Sequence, residues 1–161
     1  MPQTISQKAF PSCDLPVSTW DLLLAAVQHW EDSQASDHYI QQAIAKNAEV
    51  DVFVSAYRYY FYKSNAPMAL KMATAVADAV REREQWPTDW QTLKPILLTR
   101  LDDSCVRLYI SAYAASGLLQ ARLGDFEIAQ NIAEQVQQLH AKEFGADILL
   151  NILSAPSDEE E

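Results

Sequence analysis

The chain has 161 residues, with 12 Lys and Arg against 22 Asp and Glu for a formal net charge of −10, and only 3 Gly. One domain of this length buries about 70 % of its unfolded surface, so no disulfide or metal staple is required. So little Gly argues against an all-β fold or a Gly-rich nucleotide loop, and the acidic balance excludes nucleic acid and anionic membranes as long-range partners.

Pro2, Pro11 and Pro16 break residues 1–16 into an extended arm that can pack Phe10 or Leu15 onto the body. The arm lacks a charged region followed by an apolar core, so it does not read as a secretory signal. The longest nearly apolar stretches, Leu22 to Val27 and Ile148 to Leu153, fall far short of the ~20 residues that span a bilayer. A first helix runs to about Glu31, with Ser18 as N-cap and Asp21 three residues later. Helices over 36–46 and 49–63 follow. Ser64-Asn65-Ala66-Pro67 then makes a turn into a helix over 68–84, whose Ala69, Met72, Ala73, Val76, Ala79 and Val80 share one face.

The segment Trp86-Pro87-Thr88-Asp89-Trp90 is a break, and Thr88 or Asp89 can cap a short helix carrying Leu93, Ile96, Leu97 and Leu101. Its two tryptophans are expected to cover the end of the long helix before it. Helices over 103–123 and 125–144 follow, separated by Gly124, and Gly145 fits a C-terminal cap before a closing helix over 146–153. Residues 154–161 form an acidic solvating tail. The expected organisation is therefore an arm (1–16), a helical domain (17–153) and a tail (154–161). The charge pairs Arg81-Glu82-Arg83-Glu84 and Asp102-Asp103 read as solvated faces.

One stretch carries a recognisable spacing. Tyr113-x2-Ser116-Gly117-x2-Gln120, then Gly124-Asp125-Phe126, then Ala129-x3-Ala133 and Val136 resembles a tetratricopeptide repeat. Trp20-x2-Leu23-Leu24-x2-Val27 with Ser36, Ile40, Ala43 and Ala48 repeats it, and the next unit starts at Asp51, matching the 34-residue period of that family. Arg58 stands where the family keeps a small residue, and about 25 extra residues around Trp86 and Trp90 precede the third unit. The resemblance implies an all-α fold of antiparallel helix pairs stacked as a short right-handed superhelix. An ordinary antiparallel bundle with aligned Ala-rich faces is the alternative.

The chemistry-bearing residues are sparse. His29, His38 and His140 form no HExxH or ExxH pair, and His29 and His38 with Glu31, Asp32 and Asp37 read as a solvated acidic turn rather than a cation site. Cys13 and Cys105 have no CxxC context. They read as reduced, buried cysteines in a cytoplasmic protein, with a mutual disulfide as the alternative. No catalytic motif is present, so the expectation is a non-enzyme without cofactor or metal.

Binding is the better-supported expectation. The family resemblance implies a concave face lined by the first helix of each pair: Ser18, Asp21, Ala25, Gln28 and His29 in the first unit. Val52, Ser55, Tyr59, Tyr62 and Lys63 line it in the second, and Ser111, Ala114, Leu118, Ala121 and Arg122 in the third. Within the run Tyr57-Arg58-Tyr59-Tyr60-Phe61-Tyr62, the residues Phe53, Tyr57, Tyr60 and Phe61 share a core face. Tyr59 and Tyr62 are either a second layer of core or an exposed aromatic groove. The expected function is an adaptor, dedicated chaperone or assembly factor that holds a segment of a client protein, without nucleic acid or membrane insertion. A structural homodimer or subunit of a larger assembly, using the Trp86–Trp90 insert as interface, is the alternative.

Overall fold

In the computed structural model, which describes residues 16–139, the chain is all-helical, with seven helices and no strand among the described residues. They are α1 (Val17–Gln28), α2 (Ser33–Lys46), α3 (Val50–Tyr62), α4 (Ala66–Glu84), α5 (Trp90–Leu98), α6 (Ser104–Arg122) and α7 (Phe126–Gln137). The arm, the acidic tail, the Gly145 cap, the closing helix, Cys13 and His140 lie outside the described residues. The chain divides into two compact units, Met1–Ala79 and Val80–Glu161. In the first, α1 packs on α2; in the second, α6 packs on α7.

Aspartates set three of the helix starts. The first amides of a helix lack an internal acceptor, and a carboxylate one residue outside can take one of them. The Asp32 carboxylate accepts from the Ala35 amide at 3.1 Å and starts α2 three residues before the expected position. Asp89, and not Thr88, caps α5, accepting from the Thr92 amide at 3.0 Å and from its hydroxyl at 2.8 Å. Asp103 caps α6 through the Cys105 amide at 2.7 Å. Ser18 does not cap α1: the helix begins at Val17, and the Pro16 carbonyl accepts from the Thr19 and Trp20 amides.

Three helix ends close in the same way. After α3, α4 and α6 the chain enters the left-handed region at Ser64 (φ 60°), Gln85 (φ 58°) and Gly124 (φ 94°). The following amide reaches back five residues in each case: Asn65 to Tyr60, Trp86 to Arg81 and Asp125 to Gln120. This is the Schellman arrangement, in which Gly normally occupies the left-handed position because a Cβ there is strained. Only one of the three positions has it. Gln85→Gly is therefore expected to stabilise the C-terminal unit by up to about 1 kcal/mol, and Gly124→Ala to destabilise it by a similar amount. Paired thermal melts check this; a Gln85→Gly protein that melts lower than the parent would contradict it.

The core of the C-terminal unit combines Leu93, Leu97, Val106, Ile110, Leu119 and Val136, all buried, with an aromatic ladder. Trp86 meets Tyr109 edge-on at 5.6 Å, Tyr109 stacks on Tyr113 at 5.9 Å, and Tyr113 stacks on Trp90 at 6.3 Å. The Trp90 indole donates to Gln138 Oε1 at 3.1 Å, and the Tyr113 hydroxyl donates to Gln135 Oε1 at 2.5 Å. The insert's tryptophans thus join α5 to α6 and α7. In the N-terminal unit, Ala69, Met72, Ala73 and Val76 of α4 are buried as the periodicity predicts. Ala77 is buried in place of the expected Ala79, which is half-buried.

Within the charge pairs Glu82, Arg83 and Asp102 are exposed, while Glu84 and Asp103 are half-buried and both meet Arg100. Arg100 donates to Glu84 at 3.2 Å and to Asp103 at 2.7 Å, and its guanidinium lies 5.6 Å from the Trp86 ring. Arg100 holds the Asp103 carboxyl below the usual carboxylate range.

Candidate functional site

Helix α1 is apolar on more than one side. Its inner residues Thr19, Leu23 and Ala26 are buried, yet Trp20, Leu24 and Val27, spaced i, i+4 and i+7, form a second apolar stripe. Leu24 is 54 % and Val27 62 % exposed. Helix α3 presents a matching stripe, Ser55, Arg58, Tyr59 and Tyr62, and Tyr62 is 72 % exposed. Between the stripes lies a groove of about 360 Å³, with Leu23 and Ile40 in its lining and Trp30 at the α1–α2 turn. Among the described residues, Arg58 is the sole charged one in that lining.

The groove is braced from below by a polar cluster. Trp30 meets Tyr59 edge-on at 5.5 Å, and the Lys63 ammonium sits 4.2 Å from the Trp30 ring. Lys63 donates to the Trp30 carbonyl and, at 3.2 Å, to the Ser33 hydroxyl, so it ties the end of α3 to the α1–α2 turn. A cation over an indole face adds attraction to this tie. The Tyr59 hydroxyl donates to the Asp37 carboxylate and lies 2.5 Å from Ser36 Oγ. Tyr60 is fully buried beside it, accepting from Gln41 Nε2 at 2.6 Å.

These surroundings disfavour phenolate. Burial and the hydrogen bond to Asp37 push the Tyr59 hydroxyl up to about 12, and burial pushes Tyr113 up to about 12 as well. Both groups keep a proton that the unfolded chain releases near its ordinary value of about 10. Their contribution to stability is therefore intact below pH ~10 and is lost as pH rises towards ~12. Melting temperature is expected to fall through that window, and a Tyr59→Phe, Tyr113→Phe variant to lose much of the pH dependence. An unchanged alkaline slope in the variant would refute the assignment.

The predicted site residues separate into groups. Ser55, Tyr59 and Tyr62 line the groove together, and Lys63 supports it through Trp30. Tyr59 is nevertheless a core residue, 6 % exposed, that shows only part of its ring to the groove. Val52 is buried and is not in the lining, because at position 52 it points to the packed side of α3. Leu118 is half-buried and Arg122 exposed in α6, in the other unit. On α1 the expected lining of Ser18, Asp21, Ala25, Gln28 and His29 is replaced by Trp20, Leu23, Leu24 and Val27. Trp20, Leu23, Leu24, Val27, Trp30, Ile40 and Arg58 line the groove without being expected there from the sequence. The excess of apolar residues around α1, with Leu22-Leu23-Leu24 in a row, is the signal that could have found them.

Trp86, central to the alternative interface, is buried, and Trp90 is half-buried. Cys105 is a free thiol that accepts from Arg83 at 3.6 Å, and burial pushes its pKa up, the reverse of what activates a nucleophilic cysteine. His29 is exposed and His38 exposed on one side of α2, and among the described residues no group of His, Cys, Asp and Glu is placed to hold a metal ion. Among the same residues no helix is long and apolar enough to cross a membrane.

The chain is similar to an uncharacterized 19.8 kDa protein from the nifW 5′ region of Azotobacter chroococcum mcd 1, with 28 % identity over 139 residues that cover 84 % of this chain and 77 % of the relative. No family model matches the chain, and no solved structure matches it.

Proposed function

We propose that the protein is a non-catalytic binding module, an adaptor or assembly factor that holds a segment of a client protein in the α1–α3 groove. The observation that carries this reading is the apolar stripe of α1 facing Tyr62 of α3 across one opening, with Leu24, Val27 and Tyr62 each more than half exposed. A folded chain gains nothing in stability by exposing such residues side by side, and exposed apolar patches of this kind mark interaction sites. Tyr and Trp suit such a site because each joins a rigid apolar body to a polar edge. The tetratricopeptide-like stacking of helix pairs is part of the proposal, supported by the repeat spacing and by the α1–α2 and α6–α7 packing. The cytoplasmic placement rests on the sequence reading.

The test is affinity capture from the source cell with the parent protein and a Leu24→Asp, Tyr62→Asp variant. Both positions are exposed, so the variant is expected to melt within a few degrees of the parent, because surface substitutions rarely cost more than about 0.5 kcal/mol each. Client recovery is expected to drop at least about tenfold, since each carboxylate would have to be buried unpaired against apolar groups. Equal recovery by a folded variant would overturn the groove assignment.

A further inference from the structure

Lys63 stands at the C-terminal end of α3, where a lysine ordinarily stays beside the unsatisfied carbonyls of its own helix or extends into water. Here the side chain turns to another segment instead. Its ammonium donates to the Trp30 carbonyl, 33 residues away in sequence, and to the Ser33 hydroxyl at 3.2 Å. The same nitrogen lies 4.2 Å from the centre of the Trp30 ring and 5.8 Å from that of Tyr59. Holding so long a side chain in one place costs rotamer entropy, and a lone exposed contact seldom offsets it. Lys63 combines a carbonyl, a hydroxyl and an aromatic face, and it sits beyond the C-terminal end of α1, where the helix dipole favours a cation.

The segment it holds forms part of the groove wall. Two backbone bonds, from the Trp30 amide to the Val27 carbonyl at 3.2 Å and from the Asp32 amide to the His29 carbonyl at 2.9 Å, shape the α1–α2 turn. They do not choose the direction of the Trp30 ring, which is half-buried and lines the groove. That ring meets Tyr59 edge-on at 5.5 Å and carries Lys63 on its face. Tyr59 is fixed, because its hydroxyl is engaged by Ser36 and Asp37. The other support is a single charge on a flexible stem. On the α3 side the same contact anchors the residue after Tyr62, which lines the groove and is 72 % exposed, just before the chain turns away at Ser64. One ammonium thus joins the Trp30 end of one wall to the Tyr62 end of the other.

We propose that Lys63 is a charge-dependent latch on the groove: its ammonium holds Trp30 in the groove wall, and loss of the charge releases the Trp30 ring from that place. This rests on the docking reading above and concerns how that site is kept in shape. Lys63 is a positioning residue, acting through Trp30 from outside the lining.

The test reads Trp30 directly. The chain has four tryptophans, so protein labelled with 5-fluorotryptophan gives four fluorine resonances, and Trp30→Phe identifies the one from Trp30. Lys63→Met keeps an apolar stem and removes the cation with its donors, whereas Lys63→Arg keeps a cation that can donate and lie over a ring. In Lys63→Met the Trp30 resonance is expected to shift, to broaden and to gain a larger solvent isotope shift, while those of Trp86 and Trp90 stay in place. Lys63→Arg is expected to leave all four close to their parent positions. A Trp30 resonance unmoved in Lys63→Met would overturn the latch. So would a Lys63→Arg protein as disturbed as Lys63→Met, because the charge would then not be what holds the ring. A Lys63→Met protein that fails to fold would overturn it too, since Lys63 would then be part of the core and not a latch. The readout needs no client. An unmoved Trp30 leaves the docking groove standing, and equal client recovery by the Leu24→Asp, Tyr62→Asp variant removes the groove without touching the Trp30 result.

Discussion

Replacing Tyr60 with alanine is expected to lower the stability of the N-terminal unit by about 4 kcal/mol, whereas Tyr62→Ala, two residues away, is expected to change it by less than about 0.5 kcal/mol. The contrast follows from position alone. Tyr60 is 2 % exposed, stacks edge-on against Tyr59 at 5.1 Å and holds Gln41 through its hydroxyl. Removing its ring leaves a cavity lined by side chains that can relax only partly, and large aromatic-to-alanine changes in cores cost about 3–5 kcal/mol for that reason. Tyr62 meets Phe61 but is otherwise open to solvent. A total stability of about 5–15 kcal/mol makes the first change severe, and it should lower the melting temperature by about 10 °C. Thermal melts of the two variants check this. Similar melting points for both would mean that α3 is not packed as described.

Gly117→Val is the second large effect, expected at about 3 kcal/mol in the C-terminal unit. A Cβ at Gly117 would stand 2.9 Å from Ile132 Cγ2 and 3.3 Å from Ile132 Cβ, closer than packed carbons come. Ile132 is β-branched and buried, so it cannot rotate out of the way cheaply. With valine the added methyl groups would force α6 and α7 apart and disturb Ala129, Ala133 and Val136 behind them. The intrinsic gain in helix propensity from replacing glycine, under about 1 kcal/mol, does not compensate. Chemical denaturation read by fluorescence in a Trp20→Phe, Trp30→Phe background, where Trp86 and Trp90 are the remaining tryptophans, reports this unit. A Gly117→Val protein as stable as its parent would show that the two helices are not in contact at this point.

Gly117 is also where the sequence spoke most clearly. A glycine late in a helix, followed by Gly124-Asp125 and the stripe Ala129, Ala133, Val136, predicts a close helix pair with a tight turn. That pair is present in α6 and α7 with Gly124 at positive φ. The same logic located the described helices to within a few residues, except that the last, expected over 125–144, ends at Gln137, because apolar periodicity and breaks at Pro, Gly and Asn are local properties. Boundaries moved where capping competed: Asp32 recruited Ser33–Ala35 into α2, and Pro16 displaced Ser18 as the start of α1.

The groove was only partly legible. Ser55, Tyr59 and Tyr62 were placed on it from the sequence, but the α1 wall was expected on the wrong face, at Ser18, Asp21 and Ala25. The reason is that α1 carries apolar residues on two sides, and a sequence period says that a stripe exists without saying which stripe a neighbour covers. The burial of Thr19 illustrates the point. Its hydroxyl donates to Asn47 Oδ1, a contact made across 28 residues of chain, and it holds the side of α1 that carries Thr19, Leu23 and Ala26 inward. Trp20, Leu24 and Val27 are consequently left on the outside.

The sequence by itself therefore determined the all-helical fold, the helix pair around Gly117 and Gly124, and the aromatic character of α3, because each depends on residues close to one another along the chain. Only the tertiary structure decided which of the consecutive residues Tyr59, Tyr60, Phe61 and Tyr62 are core and which is exposed, that Trp86 is buried against Tyr109, and that Arg58 faces an apolar groove. Those outcomes depend on which helix face meets which neighbour, and that is settled by long-range packing.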